Sequence, residues 1–200
     1  MDDRVVISLH RHGLTSENER KAYIGWTDSP LSQRGIDGAK QAILSKPPAD
    51  IVFSSPLTRC TQTAHIWYPD HELMLAPHFK EMNFGSYEGK TYDELKMLPH
   101  YQKWLSKPFS ERPDDGEAFA DFTFRIDQGW HNVCQRMIKK KLSSVAIVTH
   151  GGVIRYLLSM FAPEKQPFFS WDVPCASGYQ LTWFSERFNH RVRCEYLQKL

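Results

Sequence analysis

The sequence has no CxxC pair, and its four cysteines, Cys60, Cys134, Cys175 and Cys194, lie far apart. That spacing supports neither a zinc knuckle nor a thioredoxin-type dithiol, and reduced thiols in a cytoplasmic protein are expected. No apolar run is long enough to span a bilayer. The opening MDDRVVISLH begins with acids and passes straight into a strand pattern, which does not read as a signal peptide. Neither sign of charge dominates: the formal net charge is +2, too small to steer the chain strongly toward nucleic acid or membrane. Internal repeats, low-complexity stretches and a linker between domains are also missing. The 200 residues are expected to form one domain with a sizeable core.

What is present is an alternation of strand and helix patterns. RVVISLH (4–10), IVFSS (51–55), LMLAP (73–77) and SVAIVTH (144–150) are short apolar, β-branched runs typical of buried strands. Between the first two, Ser32 is a candidate N-cap for a helix with Ile36, Ala39, Ile43 and Leu44 on one face. Pro56 stands near the expected start of the next helix. A long amphipathic helix is expected within 117–141, with Phe119, Phe122, Ile126, Trp130, Val133 and Met137 in one stripe. Its basic end, RMIKKK, suits a helix C-terminus, so no nucleic-acid surface is expected there. GGVIRYLLSMF (151–161) reads as a further helix. GYQLTWF (178–184) and HRVRCEYL (190–197) read as a terminal hairpin around SERFN. The pattern predicts an α/β fold with a mostly parallel sheet. Residues 80–118, rich in aromatics, charges and turn formers, are expected to form a lid-like insertion over one face.

Nine histidines are a mild excess, and two stand in LHRHG (9–13) at the end of the first strand. The second strand leads to Arg59 in the first turn of its helix, and the fourth ends in THGG with His150. In open α/β sheets ligands bind beyond the carboxyl ends of the strands. Arg11, His12, Arg59 and His150 can therefore converge on one crevice. Two arginines and two histidines there point to an anion with several oxygens, phosphate first, because guanidinium forks match its geometry. His12 lies further out than His10 and is followed by Gly13, which lets the chain turn and a ligand approach. His10, His12, His150 and Glu81 could in number satisfy a metal, but Arg11 and Arg59 would repel a dication. No metal and no cofactor is expected.

RHGLTSEN, SSPLTRCTQTA, EMNFGSYEG, DDGEAF and VTHGGVIRYLL, in this order, make the chain resemble the histidine phosphatase (phosphoglycerate-mutase-like) superfamily across residues 5–160. The resemblance implies a three-layer sandwich with a mostly parallel central sheet flanked by helices. It implies metal-free hydrolysis of a phosphomonoester through a phosphohistidine on His12, with Glu81 as acid/base. It places Arg11, Arg59 and His150 around the phosphoryl oxygens, with Asn18, Gly25 and Gly151 as further phosphate- or substrate-binding positions. EMNFGSYEGKTYDEL is similar to the phosphatase branch, which includes alpha-ribazole and broad-specificity bacterial phosphatases. Mutases usually carry a longer insertion at that point. A small phosphorylated metabolite is the expected partner; nucleic acid and membrane are not, and the oligomeric state is left open. A mutase, or an inactive module that only binds phospho-ligands, are the alternatives; the latter would be expected to have lost His12, Glu81 or His150.

The sequence departs from the family pattern at Leu14, Ile24 and Ala118, where polar residues are common. A less polar substrate would suit the first two. The lid aromatics Phe84, Tyr87, Tyr92, Tyr101, Trp104 and Phe109 permit two roles, stacking on a substrate ring or packing of the lid itself.

Overall fold

In a computed structural model, which describes residues 4–43 and 46–200, a six-stranded sheet has the order β3-β2-β4-β1-β5-β6. Its strands are β1 (Arg4–Arg11), β2 (Ile51–Ser54), β3 (Leu73–Leu75), β4 (Ser144–Thr149), β5 (Gly178–Phe184) and β6 (Tyr196–Lys199). β1 to β4 are mutually parallel, β5 is antiparallel to β1, and β6 is antiparallel to β5. The helices are α1 (Ser16–Glu19), α2 (Gln33–Ala42), α3 (Thr58–Trp67), α4 (Tyr92–Leu95), α5 (Pro99–Ser106), α6 (Phe119–Lys140) and α7 (Gly151–Phe161).

Strand alternation sorts the core into two layers. Val5, Ile7 and Leu9 of β1, Phe53 of β2, and Val145 and Ile147 of β4 pack with α6 and α7. The opposite face, with Val52, Ala146 and Val148, packs on Ala39 of α2 and on Cys60, Ala64 and Trp67 of α3. The sheet thus lies between two helical layers, as the strand–helix alternation predicts. The α6 stripe also emerges as expected: Phe122, Ile126, Trp130, Val133 and Met137 are buried, and Phe119 is half-buried. On the predicted face of α2, Ser32 caps Gly35 N at 3.2 Å and Ala39 is buried; Leu44 lies outside the described residues.

Three boundaries differ from the sequence reading, each for a physical reason. Pro56 precedes the helix rather than opening it. α3 starts at Thr58, and its N-terminus is capped from a distant loop: Asp28 accepts from Thr58 N and Thr58 Oγ1, both at 2.7 Å. β3 ends at Leu75, because Pro77 begins a short 3-10 turn. The second arm of the terminal hairpin starts at Tyr196 rather than at residue 190. Residues 193 and 194 are committed elsewhere: Arg193 Nη2 donates to Ser159 O at 2.9 Å and Cys194 N to Phe161 O at 2.8 Å. They satisfy carbonyls at the end of α7, so β5 gains its partner only from Glu195 onward.

Between β3 and α6, residues 80–118 contain α4, α5 and a small aromatic core of their own, made by Tyr87, Leu95, Tyr101 and Trp104. Bridges Ala22–Thr91 and Tyr23–Glu88 attach this segment to the loop after β1. Among the described residues no helix is long and apolar enough to cross a membrane.

Candidate active site

The register brings the strand ends level. Arg11 of β1 pairs with Thr149 of β4, and Ser54 of β2 pairs with Val148. The next residues stay in step: His12 N donates to Thr149 O at 3.0 Å and Ser55 N to Val148 O at 2.9 Å. His12 and His150 therefore emerge side by side, with ring centroids 5.2 Å apart and planes at 62°. Both are buried, as is Arg59.

His12 Nδ1 lies 2.6 Å from Gly13 O. A carbonyl only accepts, so Nδ1 carries the proton and Nε2 keeps its lone pair. Gly13 is held in turn by donation from its N to Thr63 Oγ1 at 2.9 Å. The glycine is required here by packing rather than by a sharp turn or ligand approach: a Cβ would lie 2.9 Å from Gly35 O. Burial, then the charges of Arg59 and Arg11, hold the His12 pKa well below the usual imidazole range. Burial, Arg59 and His12 do the same to His150, whose Nε2 meets Ser55 Oγ at 2.9 Å.

The arginines are fixed by backbone oxygens rather than by carboxylates. Arg59 donates Nη2 to Gly25 O at 2.6 Å and Nη1 to Thr27 O at 2.9 Å. Arg11 donates Nη1 to Val173 O at 2.7 Å. The Nε atoms of both are buried without a partner among the described residues. Two positive charges thus stand in a buried crevice with donors to spare, which is an anion site.

Glu81 closes the crevice from the lid side. Its Oε2 accepts from Gly152 N at 2.9 Å, in the first turn of α7, and its Oε1 from Met82 N at 3.0 Å. Gly151 lies against the Arg11 guanidinium, 3.5 Å from its Cζ to a Cβ position on the glycine. Gly25 presents its carbonyl to Arg59, and a Cβ there would strike Met82 O at 2.1 Å. Asn18 is engaged locally: its Oδ1 accepts from Thr15 N at 3.3 Å in the capping box of α1 and from Cys175 Sγ at 3.7 Å. Apart from Asn18, the sequence-predicted residues gather around one crevice.

His10 does not join them. Its Nε2 meets Tyr68 Oη at 3.1 Å, its ring packs edge-on to Trp67 at 5.0 Å, and burial drives its pKa down to about 3. Among the described residues no group of three or more His, Cys, Asp or Glu is arranged to hold a metal ion.

Two arginines near the crevice escaped the sequence reading. Arg125, on α6, forks onto Glu117 at 2.7 and 2.8 Å and donates to the carbonyls of His78, Lys80 and Glu81. It ties down the segment that carries Glu81. Arg155 lies one turn after Gly151, lines the crevice with Glu81 and Gly152, and donates Nε to Trp171 O at 3.1 Å. Its place in the first turns of a helix opening at THGG was the available signal.

A family model described as the histidine phosphatase superfamily (branch 1) matches residues 7–194. The chain belongs to that superfamily. Among curated relatives of this histidine phosphatase domain, the adenosylcobalamin/alpha-ribazole phosphatase of Escherichia coli (strain K12) is 28% identical over 157 residues, 76% of each chain. A 2,3-bisphosphoglycerate-dependent phosphoglycerate mutase of Chlamydia felis (strain Fe/C-56) is 39% identical over 218 residues, 92% of this chain and 96% of its own. The fold is shared with the alpha-ribazole phosphatase from Shigella flexneri, at TM-score 0.78 and 24% identity over 88% of this chain and 90% of that one. It is shared also with a phosphoglycerate mutase from Thermus thermophilus, at TM-score 0.69 and 26% identity over 98% and 99%. The three-layer, phosphoglycerate-mutase-like architecture implied by the sequence is therefore the observed one.

Proposed function

We propose that this chain is a metal-independent phosphomonoester hydrolase that acts on a small phosphorylated metabolite through a phosphohistidine on His12. The observation that carries this reading is the 2.6 Å contact of His12 Nδ1 with Gly13 O. It leaves Nε2 unprotonated and aimed away from its own backbone, and burial with two nearby cations keeps the ring neutral. A neutral imidazole is the nucleophile that phosphoryl transfer to histidine needs.

In the first step Nε2 attacks phosphorus, an N–P bond forms, and the P–O bond to the alcohol breaks. Glu81 donates a proton to the departing oxygen. In the second step water attacks the phosphohistidine, Glu81 takes the water proton, the N–P bond breaks, and inorganic phosphate leaves. Arg11, Arg59 and His150 surround the transferred group and stabilise charge on its oxygens. The Gly151 amide at the N-terminus of α7 adds a backbone donor and the positive end of the helix dipole.

The mutase reading is favoured by the 39% identity to the Chlamydia felis mutase and by the fold shared with the Thermus thermophilus mutase. Against it stands the compact 82–118 segment, in which only a 3-10 turn at Gly85–Tyr87 and the short α4 and α5 precede α6.

The deciding experiment is hydrolysis of an aryl phosphate in excess chelator by wild type and His12→Ala, with labelled enzyme trapped by an alkaline detergent quench and then exposed to acid. The reading requires chelator-resistant turnover, an acid-labile phosphoenzyme in wild type, and neither in the variant. Interconversion of phosphoglycerates that depends on a bisphosphorylated primer, with little phosphate release, would establish the mutase instead.

A further inference from the structure

Beyond Glu81 the crevice opens into a hollow of about 390 Å³ whose walls are mostly apolar. Phe109, Phe119, Phe168 and Phe169 form one side as a connected ring cluster. Phe109 and Phe119 centroids are 4.7 Å apart, and Phe109 lies stacked on Phe169 at 5.4 Å. Trp104 of the lid, Met82 and Phe122 line the hollow as well. The polar rim is Glu81, Gly152 and Arg155, all on the side of the crevice. The hydroxyl of Tyr23, which also lines the hollow, is engaged by Tyr101 Oη at 2.8 Å.

Two features of this hollow call for an occupant. Phe109 and Phe169 line it and are 51% and 64% exposed, whereas Phe122, which lines it too, is 1% exposed. Covering such rings releases water from apolar surface. The hollow also begins at the proposed proton donor. If the phosphoryl group lies by His12 and its ester oxygen by Glu81, the carbon skeleton of the alcohol has to continue past Glu81, which is into these rings. A polyol or carboxylate-rich group entering there would lose its hydration and find few partners in return.

We propose that the hollow binds the alcohol half of the substrate, and that this half is apolar and carries an aromatic ring. The proposal rests on the phosphatase reading above, and it adds the class of ester that the site selects. Arg155, at the rim, lies toward Arg11 and the phosphoryl side rather than deep among the rings. The second half of the wall, Phe168 and Phe169, comes from the segment between α7 and β5 and not from the lid.

The test uses two esters of primary alcohols with similar leaving-group strength, 2-phenylethyl phosphate and glycerol phosphate, so that chemistry does not mask binding. Wild type is expected to favour the first by about 30-fold or more in kcat/KM, the scale set by burying several ring carbons. Phe109→Ser and Phe169→Ser are exposed positions that do not threaten the core. Together they are expected to reduce that preference by about 10-fold. The non-hydrolysable analogues 3-phenylpropylphosphonate and 3,4-dihydroxybutylphosphonate give the same comparison as binding constants. Equal binding of the two phosphonates, or a preference untouched by the serine variants, would overturn the hollow as an aromatic site while leaving hydrolysis intact. A retained binding preference with neither ester hydrolysed would instead sink the phosphatase reading and leave the aromatic site standing.

Discussion

The Glu81 carboxylate and the Gly152 amide are joined by a 2.9 Å hydrogen bond, from the nitrogen two residues after His150 to Oε2. This contact couples the lid segment to the helix that follows the fourth strand. It sets the distance between the proposed acid/base and the proposed phosphoryl pocket, two groups that come from parts of the chain about seventy residues apart.

The contact makes Gly152 a sensitive position. A Cβ there would lie 2.3 Å from Glu81 Oε1. The clash is with the end of a side chain, so the carboxylate can swing away at small cost to the fold. Gly152→Ala is therefore expected to leave the thermal midpoint within a few degrees of wild type. It should lower kcat by about 10- to 100-fold, the usual consequence of displacing a reacting group by an ångström. Parallel melting curves and steady-state kinetics check it; an unchanged kcat would show that the Glu81 position is not critical.

Arg125 acts on the same group from the other side. It shares a bidentate pair with Glu117 and donates to three carbonyls, including that of Glu81. Arg125→Met strands a carboxylate that is only 11% exposed and removes those donors. A loss of about 2–4 kcal/mol is expected, on the scale for breaking a largely buried pair. Adding Glu117→Gln should return part of that stability, because the stranded charge is gone. It should not return kcat, because the Arg125 bonds to the carbonyls of His78, Lys80 and Glu81 are still missing. Urea unfolding and kinetics on both variants separate the two effects. Recovery of kcat along with stability would mean that Arg125 does not position Glu81.

How far the fold and site could be read beforehand follows from where the information is local. Strands β1, β2 and β4 are short apolar runs whose last residues are chemically unusual, so both their existence and their convergence are legible. The α6 stripe is legible because burial repeats with the helical period. Arg125 was hidden inside that same stripe, between Phe122 and Ile126, since an amphipathic pattern reports which residues face inward and not which of them meets a distant loop. Arg155 and the wall built by Phe168 and Phe169 were hidden because they are assembled across elements. The false strand at residues 190–195 shows the converse: alternation was present, but the backbone was already engaged by the end of α7. The lid aromatics do not share one environment. Tyr87 and Tyr101 are buried packing, Tyr92 is exposed, and Phe84, Trp104 and Phe109 reach the hollow.

Acid stability gives the last prediction. His10 is buried against Trp67 and Tyr68, and burial, with a smaller push from Lys46, lowers its pKa from 6.5 to about 3. His12 and His150 are shifted in the same direction. A histidine with a depressed folded pKa binds its proton more readily in the unfolded chain. Its contribution to stability is therefore complete above about 6.5 and is lost as pH falls toward the folded value. Between pH 7 and pH 5 His10 alone should cost the fold about 2 kcal/mol. His10→Leu removes that titration, and Tyr68 Oη keeps its bond to Pro47 O at 3.2 Å. Urea midpoints measured from pH 7 to pH 5 should fall steeply for wild type and less steeply for the variant, whatever their difference at pH 7. Identical slopes would mean that His10 is protonated in the fold, or reached by water, and would contradict its place in the α3 face of the core.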